Sequence, residues 1–265
     1  MKPKFLFLSL LLSAAVAVHA QDWAKANLEK SSRHGEWVDV KNGDRTIHCF
    51  IVYPEVKNPA PAVLVIHEIF GMTDWVRSAA DQFAAAGCVA IAPDLLSGMG
   101  PNGGGSSDFK GGDDVRTAIF KLTPDRVASD LNAVAAYVKS LPSVNGKLTV
   151  AGFCWGGGQS FNYACRQPDL KAAFVFYGPP PPAADMAKIN CPVYGFYGEN
   201  DNRITSTVDK AQAEMKDAGK TFQPVIYDGA GHGFMRMGED PAGAPPNKEA
   251  REKSWTRINE ILKGL

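Results

Sequence analysis

The residues with the clearest chemical signature are Gly152-Phe153-Cys154-Trp155-Gly156-Gly157. An apolar, strand-like run ends at Ala151 and a helix-like run follows toward Cys165. Cys154 therefore occupies a strand-to-helix turn, with a glycine two residues before it and two after. Side chains at those flanking positions would strike neighbouring backbone. The turn aims the thiol at the start of the following helix, whose positive end favours thiolate. Downstream comes Tyr197-Gly198-Glu199-Asn200-Asp201, an acidic loop at a strand end. After that comes Gly229-Ala230-Gly231-His232-Gly233-Phe234, which holds the one histidine beyond Cys154. Nucleophile, acid, then histidine is one of the chain orders in which a hydrolytic triad occurs. Asp201 and Glu199 compete as the acid. Asp201 is favoured because it lies further past the strand end, where the loop can turn toward His232.

This set predicts acyl-transfer chemistry. His232 takes the Cys154 proton or shares an ion pair with the thiolate, and Asp201 fixes the imidazole tautomer. The sulfur attacks an ester or lactone carbonyl. The oxyanion is held by the backbone N–H of Trp155 and by one from the loop after the run at 62–67, that of Ile69. A thiol ester forms and water hydrolyses it.

The elements that must position these loops alternate along the chain. Continuous apolar runs at 62–67, 88–92, 148–151, 172–177 and 193–197 read as strands covered on both faces. Segments 46–53 and 222–227 read as further strands. Helical spacing recurs between them. Val76, Ala79, Ala80 and Phe83 share one face, with Thr73 as N-cap and Gly87 as stop. Val127, Leu131, Val134 and Val138 share another, introduced by Thr123-Pro124. Residues 207–218 and a last helix carrying Trp255, Ile258, Ile261, Leu262 and Leu265 complete the pattern. The expected fold is α/β: one domain over 21–265, a doubly wound, mostly parallel sheet with helices on both faces. Three reactive loops at strand carboxyl ends is where such a sheet builds its site. Residues 97–114 are Gly-rich and polar, and read as a mobile connection or a lid.

Composition narrows the functional classes. The 265 residues carry 28 Lys+Arg against 28 Asp+Glu, so no basic excess exists to neutralise nucleic-acid phosphates. With 45% hydrophobic and 21% charged residues, the chain is neither disordered nor a coiled coil. Residues 1–20 have Lys2 and Lys4, an apolar run and the small-residue exit Val18-His19-Ala20. That is the layout of a secretory signal cleaved before Gln21. An exported, periplasmic or secreted protein with no remaining membrane anchor is expected. Cys49, Cys88 and Cys191 read as small buried hydrophobes. An exported chain with five cysteines has at least one unpaired thiol or an intermolecular bridge. No metal-ligand spacing and no phosphate loop occur, so neither metal nor cofactor is expected. A monomer acting on a small-molecule ester or lactone is the expectation.

His67-Glu68-Ile69-Phe70-Gly71, the Cys154 turn, Asp201, and His232 with Arg236 resemble the dienelactone hydrolases, or carboxymethylenebutenolidases. The resemblance spans roughly 46–265. It implies an α/β-hydrolase fold and a Cys-His-Asp triad. It also implies that Glu68 contacts the resting nucleophile and controls its ionisation, and that Arg236 binds a substrate carboxylate. Phe70 and Phe234 are expected to touch substrate, and His67 to be a packed histidine beside the loop. A second family arginine has no counterpart in Leu96-Ser97-Gly98-Met99-Gly100; Lys110 or Arg116 would have to replace it. Two other classes compete: a catalytically silent binding protein on the same fold, and an envelope thiol active in redox exchange. The first predicts a missing triad member, and none is missing. The second needs a resolving cysteine, and Cys165 lies about 16 Å along a helix.

Overall fold

The computed structural model describes residues 21–265, so the export signal expected at 1–20 lies outside the described residues. Eight strands form one sheet. They are β1 (Gly35–Asn42), β2 (Arg45–Val52), β3 (Ala60–Ile66), β4 (Val89–Pro93), β5 (Val144–Phe153), β6 (Leu170–Phe176), β7 (Val193–Gly198) and β8 (Phe222–Tyr227). Their order across the sheet is β1-β2-β4-β3-β5-β6-β7-β8. The β1/β2 and β2/β4 pairs are antiparallel; every other pair is parallel.

The helices in chain order are α1 (Asp22–Lys30), α2 (Asp74–Ala85), α3 (Gly112–Ile119), α4 (Pro124–Ser140) and α5 (Trp155–Ala164). There follow α6 (Ala183–Met186), α7 (Asn202–Thr205), α8 (Val208–Asp217), α9 (Phe234–Glu239) and α10 (Pro245–Lys263). The sheet separates two apolar cores. Ala62, Leu64 and Ile66 of β3 face the core shared with Leu131 and Val134 of α4 and Phe161 of α5. Val63 and Val65 face the other, with Phe83 of α2 and Ile258 of α10. Alternate residues of one strand thus enter opposite cores, which is why the run carries no polar alternation.

The helix starts follow local chemistry. The Thr73 hydroxyl accepts from the Val76 N–H at 3.4 Å, and that of Thr123 accepts from Arg126 at 3.3 Å with Pro124 in the first turn. Residues 97–114 are not a free loop. Two short 3-10 turns, Pro101–Gly103 and Ser106–Asp108, lead into α3. Arg45 straps the segment to the sheet: it donates to the Leu95 carbonyl at 2.8 Å and to that of Ser97, and pairs with Asp130 at 3.1 Å. All five cysteines are free, and Cys49, Cys88 and Cys191 are buried.

Candidate active site

Cys154 sits between β5 and α5 with φ 57° and ψ −117°. A non-glycine residue there stores roughly 1–3 kcal/mol of backbone strain. The surrounding backbone holds it. The Cys154 N–H donates to the Phe176 carbonyl at 3.0 Å. The chain is packed so closely that any Cβ at Gly152 would collide with the Gly156 carbonyl. At Gly156 it would meet the carbonyl of His67, at Gly157 that of Phe176, and at Gly178 the nitrogen of Gly158.

The loops after β7 and β8 bring the partners. His232 Nδ1 lies 2.5 Å from Asp201 Oδ2, and its Nε2 lies 3.0 Å from Cys154 Sγ. A carboxylate only accepts, so Nδ1 carries the proton and Nε2 is left to accept from the thiol. Glu199 is turned elsewhere: its carboxylate accepts the Gly229 N–H at 2.8 Å. The histidine loop is pinned by Gly231, whose N–H donates to Asn247 Oδ1 at 2.9 Å. Gly233 at φ 76° lets the chain enter α9 directly after His232.

Burial pushes the Cys154 thiol up to about 11, and the charge of Glu68 adds to this. The backbone N–H groups of Trp155 and Ile69 and the charge of Arg203 favour the thiolate but are outweighed. The expectation that the helix start would depress this thiol is therefore corrected. At a sulfur even partly withdrawn from water, loss of solvation exceeds what the turn's donors return. The two N–H groups acting on the sulfur are the two expected to hold an oxyanion.

Glu68 is buried, and its Oε2 accepts from Arg236 Nε at 2.8 Å. Burial lowers the Arg236 pKa, yet Glu68 outweighs it and the guanidinium is held above its ordinary range. Arg236 lies over the Phe70 ring, 5.4 Å from its centre, and Phe70 is 43% exposed. Glu68 and Arg236, expected in separate roles, thus form one pair. Among the described residues Glu68 makes no hydrogen bond to Cys154 and acts on it through its charge. Phe234 is corrected. It is fully buried, packed edge-on against Tyr177 (5.2 Å) and Tyr227 (5.4 Å), because the first turn of α9 points into the core. It backs the histidine loop instead of facing substrate. Arg116 pairs with Asp113 at 3.0 Å along the surface of α3. His67 is buried and stacks on Trp155 at 5.5 Å.

Two residues at the site escaped the sequence reading. Arg203, exposed two positions after Asp201, supplies the cation whose field reaches the sulfur. Tyr177 presents its ring edge-on to His232 at 5.1 Å, and its backbone is at φ 39°. Its position just past a buried strand end was the available signal. Among the described residues, no group of three or more His, Cys, Asp or Glu side chains is placed to hold a metal ion. No described helix is long and apolar enough to cross a membrane.

Known proteins share this arrangement of chain. Residues 47–265 match the model of the dienelactone hydrolase family. A candidate carboxymethylenebutenolidase of Methylorubrum extorquens is 31% identical over 236 residues, covering 84% of this chain and 78% of its own. One of Escherichia coli is 31% identical over 220 residues, covering 77% of each chain. The crystal structure of a candidate dienelactone hydrolase of Klebsiella pneumoniae superposes with a TM-score of 0.78 at 25% identity. That match covers 89% of this chain and all of the other. An esterase of Pyrobaculum calidifontis shares the fold at a TM-score of 0.65 and 15% identity. With its eight-stranded, mostly parallel sheet and a family match reaching from β2 to the last residue, the chain is an α/β hydrolase and belongs to the dienelactone hydrolase family.

Proposed function

We propose that the protein hydrolyses small carboxylic esters or lactones through a Cys154-His232-Asp201 triad and a thiol-ester intermediate. The observation that supports this most is the unbroken contact from Asp201 through His232 to the Cys154 sulfur, at 2.5 and 3.0 Å. At rest the sulfur carries its proton, because burial holds the thiol at about 11. As the sulfur attacks the carbonyl carbon, its proton passes to His232 Nε2, and Asp201 stabilises the imidazolium. The carbonyl oxygen takes the negative charge and displaces the sulfur from the N–H groups of Trp155 and Ile69. Collapse expels the alkoxide, which leaves with the proton from His232. Water then attacks the thiol ester, giving its proton to the same nitrogen. The carboxylic acid departs and the thiol recovers the proton.

Arg236 keeps its terminal guanidinium nitrogens beside exposed Phe70 while its Nε serves Glu68. This supports a substrate bearing a carboxylate. Cys154→Ala is expected to lose nearly all turnover of small esters and lactones in a screen, while Cys154→Ser keeps a small fraction. Equal turnover by wild type and Cys154→Ala would remove the covalent mechanism and leave a binding protein or a different nucleophile. We also read residues 1–20 as an export signal, on the charge and apolar pattern of that segment. N-terminal sequencing of the protein from its native host is expected to begin at Gln21; a mature chain beginning at Met1 would exclude export by this signal.

A further inference from the structure

The loop joining β3 to α2 carries the Ile69 N–H, and it is tied at both ends to segments outside it. At its start, His67 Nδ1 donates to the Glu68 carbonyl at 2.8 Å, and Nε2 accepts from the Leu95 N–H at 3.3 Å. At its end, the Met72 N–H donates to the Ser106 hydroxyl at 3.0 Å. That hydroxyl has one proton and gives it to Asp94 Oδ1 at 2.6 Å. Asp94 Oδ2 accepts the Ser106 N–H at 2.7 Å, and Oδ1 also accepts the Leu96 N–H at 3.0 Å. Asp94 and Ser106 are both buried. Ser106 comes from the Gly-rich segment, 34 residues from Met72 in sequence. It fits so tightly under Gly71 that a Cβ there would collide with its hydroxyl oxygen. Gly71 itself is left-handed, at φ 71°.

From these contacts we infer that Ser106, held by Asp94, is a positioning residue for the Ile69 N–H, and that the Gly-rich segment acts as a brace on the oxyanion loop. The inference rests on the proposed chemistry at Cys154. Without the Ser106 hydroxyl, the part-buried Met72 N–H loses its acceptor and Asp94 loses a donor. The loop's cheapest response is to turn about Gly71, and Ile69 is only two residues from that hinge. Loss of a whole oxyanion donor costs about 10²- to 10³-fold in rate, so displacing one is expected to cost roughly 10- to 100-fold.

The test compares Ser106→Ala, Ser106→Thr and Cys154→Ala with wild type. Turnover of a small ester is divided by the number of Cys154 sites that iodoacetamide labels to completion, and for Cys154→Ala by total folded protein. Ser106→Ala is expected to lower kcat per labelled site 10- to 100-fold with KM changed less than about threefold, and Ser106→Thr to recover most of it. A residue that only supports the fold would instead lower the melting temperature or the number of labelled sites and leave kcat per site intact. That result overturns the brace, as does a Thr variant as slow as Ala at equal melting temperature. Should Ser106→Ala fail to fold, Ser106→Cys carries the same comparison. A dead Cys154→Ala beside a fully active Ser106→Ala refutes the brace alone. Turnover by Cys154→Ala refutes the nucleophile and the brace with it.

Discussion

The resting state of the proposed nucleophile, Cys154, can be read directly from the pH dependence of alkylation. Iodoacetamide reacts with thiolate and not with thiol. Burial first, and the Glu68 charge second, hold Cys154 at about 11 against an ordinary 9.0. At pH 7 an ordinary thiol is then about 1% ionised and Cys154 about 0.01%. Cys154 in the folded protein is expected to alkylate on the order of a hundredfold more slowly than in the unfolded chain at pH 7. Its rate should climb about tenfold per pH unit with no plateau below about pH 10. Glu68→Gln removes a neighbouring negative charge and leaves Arg236 uncompensated; both changes favour thiolate. The profile should move down by about one pH unit, raising the rate at pH 7 about tenfold. The assay is stopped-time labelling read by peptide mass spectrometry, which separates Cys154 from Cys165, where burial holds the thiol at about 12. A plateau at or below pH 9, or a profile that Glu68→Gln leaves in place, would refute the protonated resting thiol.

Two further outcomes follow from the packing. Gly152→Ala drives a methyl into the Gly156 carbonyl, with backbone on both sides of the clash. It is expected to cost about 3 kcal/mol or more in a denaturant titration and to abolish turnover; a wild-type midpoint would show that the turn has room to spare. Arg236→Ala strands the Glu68 carboxylate, whose side chain is 4% exposed. A loss of about 3–5 kcal/mol is expected, with Glu68→Gln in the same chain restoring much of it; a loss below about 1 kcal/mol would mean that the pair is not effectively buried.

Sequence showed those parts of the molecule whose chemistry is local. Strands β3 to β7 read as apolar runs because both faces are covered, and Cys154 stood out because its turn admits only glycine around it. Asp201 was separable from Glu199 by position along the loop, and the structure gives the physical reason: Glu199 is spent on the Gly229 N–H. What stayed hidden depends on distant partners. Of β1, only Val40 is buried, so it carries no apolar run and is recognisable only by pairing with β2. Helix α1 buries only Ala24 and is fixed by packing on α2, where Gln21 Oε1 accepts the Trp75 N–H at 3.0 Å. Residues 97–114 have the composition of a loop, yet Arg45 and Asp94 fix them from far away in sequence. The direction of Phe234 and the rise of the Cys154 thiol were likewise illegible, since both depend on how deeply the finished fold covers them.

Around the Cys154 turn, four α-carbons at 152, 156, 157 and 178 can carry nothing larger than hydrogen, whereas the Cys154 side chain is partly exposed. The group proposed to attack the substrate is therefore separable from what holds it. An oxygen in place of sulfur would stand on the same bent backbone and face the same two N–H groups. A change of reaction chemistry here takes one substitution, whereas a change at any of the four glycines takes away the turn. Variation at this junction is thus permitted mainly at the atom that reacts. A hydrolase frame built this way can exchange its nucleophile while its architecture stands still.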